Sequence, residues 1–240
     1  MFKVGIDPGH GGSDPGAIGP TGLQEKDINM SVGLLVARLL QEQGLAIVLT
    51  RDKDEQVTLA DRSSRLNLAR VDLVISIHVN SSLNHQANYV ANFILASGGD
   101  AERAARLLQE ELMTVTGWPK PAAPHGVIEK NLHMLRETKA PAVLLEMGFI
   151  SNPLQEAQLK EPDFQILLAT AIVRGISQYF DFPHRECQGQ GIGETINVII
   201  KGRQYQGILI EGKTYVHVRI LEELGIGVRW EEGAKTVYVG

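Results

Sequence analysis

Three short apolar runs without alternation punctuate the chain. Such runs read as strands buried on both faces, the habit of parallel sheets. Each leads to a residue with chemistry. Phe2-Lys-Val-Gly-Ile-Asp passes through Pro8-Gly9 to His10, Leu73-Val-Ile-Ser-Ile runs into His78, and Ala142-Val-Leu-Leu runs into Glu146. Between the runs, apolar residues recur at helical spacing. Ile28, Val32, Leu35, Val36, Leu39 and Leu40 predict a helix over 25–43, stopped by Gly44. Thr58 with Asp61 resembles a capping box and opens a helix to about residue 70. Ala104, Leu107, Leu108 and Leu112 mark another over 100–116. Phe164, Leu167, Leu168, Ala171, Ile172 and Ile176 mark a last one, capped by Asp163 and ending near 180. Strands are also expected over 46–50 and 89–95, with a short one over 132–135.

Strands alternating with helices predict an α/β fold: an open, mostly parallel twisted sheet flanked by helices on both faces. The composition then changes. Residues 182–194 are polar and glycine-rich and read as a linker. Five short β-like runs follow, over 195–200, 204–210, 214–218, 228–230 and 236–239, with a helical piece over 219–224. The expected organisation is a catalytic domain over 1–181, the linker, and a small C-terminal mostly-β domain over 195–240.

The bulk properties narrow the function. The chain has 240 residues, 43% hydrophobic and 21% charged, with a formal charge of −5. It reads as globular, and no basic patch points to nucleic acid. A single cysteine, Cys187, permits no internal disulfide and no cysteine zinc cage. No apolar run is long enough to span a bilayer. No signal peptide precedes the first strand, so synthesis in a cytoplasm without a secretion signal is expected.

In open α/β sheets, ligands bind outside the carboxyl ends of the strands. His10, His78 and Glu146 are therefore expected on one rim. The loop over 8–24, with six glycines and three prolines, is too long for a plain connection, and Glu25 closes it. His10, Glu25 and His78 would make a His₂Glu set for a catalytic zinc with one position left for water. Glu146 would serve as general base. Each residue also has a plainer reading. His10 could be a loop histidine bonded to backbone, and His78 a satisfied histidine at a strand end. Glu25 could be a carboxylate favoured by the helix start, and Glu146 half of a buried ion pair with Arg136 or Lys139. Asn80, His133 and Arg136 are candidates for contacting substrate or supporting the ligands. Trp118, in a proline-rich loop, is a candidate for contacting sugar or peptide.

Five blocks carry a family resemblance. Ile6-Asp-Pro-Gly-His-Gly-Gly-Ser-Asp-Pro-Gly16, Gly22-Leu-Gln-Glu-Lys-Asp-Ile-Asn29, Leu49-Thr-Arg51, Ser76-Ile-His-Val-Asn80 and Leu144-Leu-Glu-Met-Gly-Phe-Ile-Ser-Asn152 resemble those of the zinc-dependent N-acetylmuramoyl-L-alanine amidases. The resemblance spans about residues 2–180. It implies zinc on His10, Glu25 and His78, Glu146 as the catalytic residue, and one zinc ion (Zn2+) per chain. It also implies peptidoglycan as substrate, cut between the lactyl group of N-acetylmuramic acid and L-alanine. With no leader expected, a phage or prophage endolysin released through a holin is the first setting, and a mother-cell lytic enzyme of a spore former the second. A deacetylase or carboxypeptidase on a similar scaffold, or a non-catalytic wall-binding protein, are the competing readings. Residues 196–239 resemble the small β domain similar to the N-terminal domain of copper amine oxidases, with His217 where that pattern usually has Pro. This implies a wall-attachment, spacer or dimerisation module and no copper site.

Overall fold

The computed structural model describes residues 1–182 and, beyond them, five strands. The chain divides into two compact units, Met1–Arg185 and Glu186–Gly240. In the first, six strands form one sheet in the order β2-β1-β3-β6-β4-β5. The strands are β1 (Lys3–Pro8), β2 (Ala46–Leu49), β3 (Leu73–Asn80), β4 (Ala91–Ile94), β5 (Val127–Glu129) and β6 (Ala142–Phe149). β2, β1, β3 and β6 run parallel, while β4 pairs antiparallel with β6 and carries β5 parallel to itself. The sheet is therefore mostly parallel and open, as the buried apolar runs require.

The helices are α1 (Glu25–Glu42), α2 (Leu59–Ala69), α3 (Gly99–Thr116), α4 (His133–Glu137), α5 (Pro153–Lys160) and α6 (Pro162–Phe180). Thr58 caps α2 as its sequence suggests: its hydroxyl oxygen accepts from the Asp61 amide at 3.1 Å. The sheet's two faces are covered differently. α1, α3 and α6 pack together, with Val32, Val36, Leu108, Leu112, Leu168 and Ile172 fully buried. On the other face, Leu66, Val74, Phe93, Met134, Leu135 and Leu144 form a separate cluster under α2 and α4.

Two local expectations are corrected, and two short elements are added. Residues 133–137 form a helix instead of a strand. Its turn closes when the Leu135 and Arg136 amides donate to the Leu132 carbonyl, and His-Met-Leu-Arg-Glu has no β-branched residue to favour extension. The last helix starts at Pro162, with Glu161 rather than Asp163 at its cap position, because proline is pre-set for the first helical turn. β5 and α5 were not anticipated, being too short for periodicity to register.

In the second unit, β7 (Glu194–Ile200), β8 (Arg203–Ile210) and β9 (Lys213–Tyr215) form an antiparallel sheet, and β10 (Val228–Glu231) pairs antiparallel with β11 (Thr236–Val239). The 183–193 stretch of the expected linker, the helical piece over 219–224, His217 and Cys187 lie outside the described residues. No helix among those described is long and apolar enough to cross a membrane.

Candidate metal centre and active site

The order of strands reverses between β1 and β3: β2 lies outside β1, and the chain then crosses to β3. A crevice forms at such a switch point. His10 leaves the end of β1, His78 lies near the end of β3, and Glu25 begins α1. Their ligand atoms lie within 4.8 Å of one another.

Glu25 is the centre of this group and is 4% exposed. One of its oxygens faces His78 Nδ1 at 2.9 Å and accepts from the Asn29 side chain and the Val79 amide, each at 3.2 Å. The other faces His10 Nε2 at 3.2 Å and accepts from the Ala17 amide at 2.9 Å. Burial pushes the Glu25 carboxyl up, but hydrogen bonds and positive charge from both histidines outweigh it and hold it below the usual carboxylate range. The hydrogen bond to Glu25 in turn raises His10 to about 9, against the opposing effect of burial. His78 is lowered by burial and raised more by Glu25 and by the charge of Glu146.

His10 is aimed by its other nitrogen, since Nδ1 bonds the Asp14 carboxylate at 2.8 Å. A carboxylate behind a histidine is the usual way to fix a metal-binding imidazole. The backbone at His10 is left-handed, with φ of 61°, a strained conformation that persists only when its surroundings enforce it. Two glycines make the space. A Cβ on Gly9 would lie 2.2 Å from the His78 ring, and one on Gly16, where φ is +66°, would lie 2.6 Å from Glu25 Oε2.

Beneath the loop lies a polar network that sequence reading missed. Asp7, 1% exposed, accepts from Thr50 Oγ1 at 2.6 Å, Ser76 Oγ at 2.7 Å and Arg62 Nη1 at 2.8 Å. Burial raises its carboxyl, and the Arg62 charge with these hydrogen bonds lowers it further than burial raises it. Arg62 also donates to the carbonyls of Pro8 at 2.7 Å and His10 at 2.5 Å. The fully buried Arg51 donates to the carbonyls of Pro8 and Gly9 at 2.9 Å and of Lys26 at 3.0 Å. Two arginines thus hold the backbone that presents His10. The signal available in the sequence was Arg51 itself, two residues past the end of a strand.

Glu146 lies beside His78 and not in the cluster of three. One of its oxygens, Oε2, is buried without a hydrogen-bond partner. Burial pushes its carboxyl up to about 7, against the pull of the His78 charge. No ion pair joins it to Arg136 or Lys139 among the described residues. Arg136 instead pairs with Glu137 and Asn131 on the surface. His133 Nε2 faces Ser63 Oγ at 3.1 Å. Asn80 ends β3, where its carbonyl accepts from the Ile150 amide and its side chain from the Ser81 amide, each at 2.8 Å. Trp118 is buried against Phe164, and a Cβ on Gly148 would lie 2.4 Å from its ring. It supports β6 from within, so its candidacy for contacting sugar or peptide is withdrawn.

Comparison with known proteins gives a consistent answer. Residues 4–178 match the N-acetylmuramoyl-L-alanine amidase family. The germination-specific N-acetylmuramoyl-L-alanine amidase of Bacillus subtilis is 31% identical over 191 residues, covering 73% of this chain and 78% of that protein. The sporulation-specific N-acetylmuramoyl-L-alanine amidase of the same organism is 33% identical over 191 residues, covering 79% of this chain and 72% of that one. Among solved structures, the catalytic domain of the amidase CwlV from Bacillus (Paenibacillus) polymyxa var. colistinus superposes with a TM-score of 0.70 at 34% identity, covering 76% of this chain and all of that domain. A His-Glu-His cluster at the switch point of a mostly parallel sheet and these matches lead to one conclusion: the chain belongs to the N-acetylmuramoyl-L-alanine amidase family.

Proposed function

We propose that this protein hydrolyses the amide between the lactyl group of N-acetylmuramic acid and the L-alanine of the peptidoglycan stem peptide. A zinc ion on His10, Glu25 and His78 and Glu146 as general base are the working parts of this reading. The observation that carries it is the unbonded Glu146 Oε2, recessed on the strand next to His78. An orphaned buried carboxylate oxygen is costly unless it has a task.

The residues fit zinc. Two imidazoles and one carboxylate are the donor set of open catalytic sites, and Asp14 behind His10 adds the supporting carboxylate. Bound there, the ion would supply Lewis acidity toward the scissile carbonyl and the attacking water. Glu146, raised to about 7, suits a group that takes a proton from water near neutral pH and then gives it to the leaving alanine nitrogen. Arg51, Arg62 and Asp7 keep the His10 loop in place through this cycle.

The named relatives favour a bacterial wall amidase over the endolysin expected from the sequence, since two of them carry germination and sporulation in their names. A further relative, a probable cell wall amidase of Staphylococcus saprophyticus, supports action on the cell wall. The second unit, resembling the copper amine oxidase N-terminal-like domain, is assigned a wall-attachment or spacer role.

The test is digestion of purified peptidoglycan with scoring of the new termini. New L-alanine amino termini, lost on chelation and restored by zinc, support the amidase reading. Released acetate or a free C-terminal amino acid in their place would support a deacetylase or carboxypeptidase. Zinc binding with no product would leave a wall-binding protein.

A further inference from the structure

Glu156 is a buried acid with no part in the chemistry above. It lies in the first turn of α5 and is 1% exposed. Burying a carboxylate is costly unless its oxygens are bonded. The helix start favours the charge, and both oxygens are committed to a segment 135 residues away. The Thr21 amide donates to Oε1 at 2.9 Å and to Oε2 at 3.2 Å, and the Thr21 hydroxyl donates to Oε1 at 2.7 Å. Lys160, one turn further along α5, donates to the same hydroxyl oxygen. Gly19 is pressed against the carboxylate. A Cβ there would lie 2.3 Å from Glu156 Oε1 and 2.9 Å from the Ile150 carbonyl oxygen.

The gripped segment leads directly to Glu25. Residues 18–24 form a narrow hairpin closed by the Ile18–Gln24 bridge. Within it the Gly19 amide donates to the Leu23 carbonyl at 2.9 Å, and the Gly22 amide to the Gly19 carbonyl at 3.0 Å. At its base Ala17 brackets Glu25. The Ala17 amide donates to Glu25 Oε2 at 2.9 Å, and the Glu25 amide donates to the Ala17 carbonyl at 2.9 Å. Oε2 is the oxygen that faces His10. The other oxygen takes its bonds from Asn29 on α1 and Val79 on β3. Oε2 therefore takes its backbone bond from the loop that Glu156 grips.

The same turn of α5 holds the strand that carries Glu146. Gln155 Oε1 accepts from the Phe149 amide at 2.7 Å, and the Asn152 amide donates to the Phe149 carbonyl at 3.1 Å. Adjacent residues of one helix thus fasten the end of β6 and the loop before Glu25.

We propose that Glu156 is a positioning residue for the metal centre. Through Thr21 and Gly19 it fixes the 18–24 hairpin, and through Ala17 it fixes the Glu25 oxygen that faces His10. The inference rests on the reading of His10, Glu25 and His78 as metal ligands.

The experiment uses the full chain and two readouts. Zinc affinity is measured by competition with a chromophoric chelator, and exchange of the Ala17 amide hydrogen is followed in the metal-free protein. Glu156→Ala removes the grip. Glu156→Gln keeps an acceptor for the Thr21 amide and hydroxyl. Thr21→Val, at an exposed position, deletes the hydroxyl bond without touching the core and carries the test if Glu156→Ala folds poorly. Glu156→Ala is expected to bind zinc about tenfold more weakly or worse, the range for a group that orients a ligand, and to exchange the Ala17 amide faster. Thr21→Val should show an intermediate loss, and Glu156→Gln should recover most of the affinity. Zinc affinity and Ala17 exchange equal to wild type in Thr21→Val and Glu156→Ala would overturn the proposal. So would a loss of thermal stability with affinity unchanged, since Glu156 would then be purely structural. A wild-type protein that binds no zinc refutes the metal reading, and the proposal with it. One that binds zinc but frees no L-alanine termini refutes the proposed reaction and leaves the positioning role standing.

Discussion

His78 and Glu146 stand at the same rung of the sheet. β3 and β6 run parallel and pair these two residues directly, after which the register slips so that Asn80 meets Phe149. Both side chains therefore leave the same face of the sheet, side by side, one toward the ligand cluster and one with a free oxygen. If the division of labour follows this geometry, Glu146→Gln keeps zinc at one per chain and lowers turnover by about 10²–10⁴-fold, the usual contribution of a general base. Metal analysis and rates of L-alanine terminus formation on the same preparation decide it. Near-normal turnover would remove Glu146 from the mechanism.

Asp14 touches His10 and no other member of the cluster. Asp14→Asn should weaken zinc binding by about 10–100-fold, the range for a partner that orients a ligand, while the thermal transition of the metal-free protein stays nearly unchanged. Competition with a chromophoric chelator measures the affinity. Equal affinity in the variant would show that the bond is incidental.

Zinc affinity should depend on pH in a set direction. Without metal, His10 keeps its proton until about pH 9, held there by the hydrogen bond to Glu25. A metal must displace that proton, so apparent affinity should rise about tenfold per pH unit for each proton displaced, and level off above about pH 9. Affinity that is flat from pH 6 to 9 would mean the histidines are not the ligands.

The buried pair Asp7–Arg62 makes a claim about stability. Removing one partner strands the other, at a cost of about 3–5 kcal/mol, so Arg62→Ala should unfold at markedly lower denaturant. The pH dependence has a definite sign. The carboxyl of Asp7 is depressed in the fold, so its contribution is present above its ordinary value and is lost as pH falls through the lower folded value. Asp7→Asn should reduce the acid sensitivity of unfolding. Identical acid curves would refute the assignment.

Gly9→Ala adds a single methyl group where the His78 ring already lies. The variant is expected to fold, because the crowding falls on one side chain at the crevice, and to lose zinc affinity. A crystal structure or metal titration showing an undisturbed site would be contrary.

How much of this was legible beforehand varies by element. β1, β3 and β6 were visible because a strand buried on both faces is apolar with few interruptions, a signal contained in four or five consecutive residues. α1 and α6 were visible because their stripes repeat over several turns. α4 was misread and β5 unseen, since runs of three to five residues carry no period.

The residues with chemistry were also readable, because each follows a buried run or closes a glycine-rich loop. What supports them was not. Asp7 and Arg62 are 55 residues apart and Thr21 and Glu156 are 135 apart. No local pattern announces that a charge will be buried, since only the closing of the sheet brings its partner near. Trp118 looked like a loop aromatic until Gly148 and Phe164 covered it. The sequence by itself thus determined which segments are buried and which side chains carry chemistry, through local periodicity. The tertiary structure alone decided the rung shared by His78 and Glu146 and the arginines beneath His10. All of these depend on contacts between segments distant in the chain.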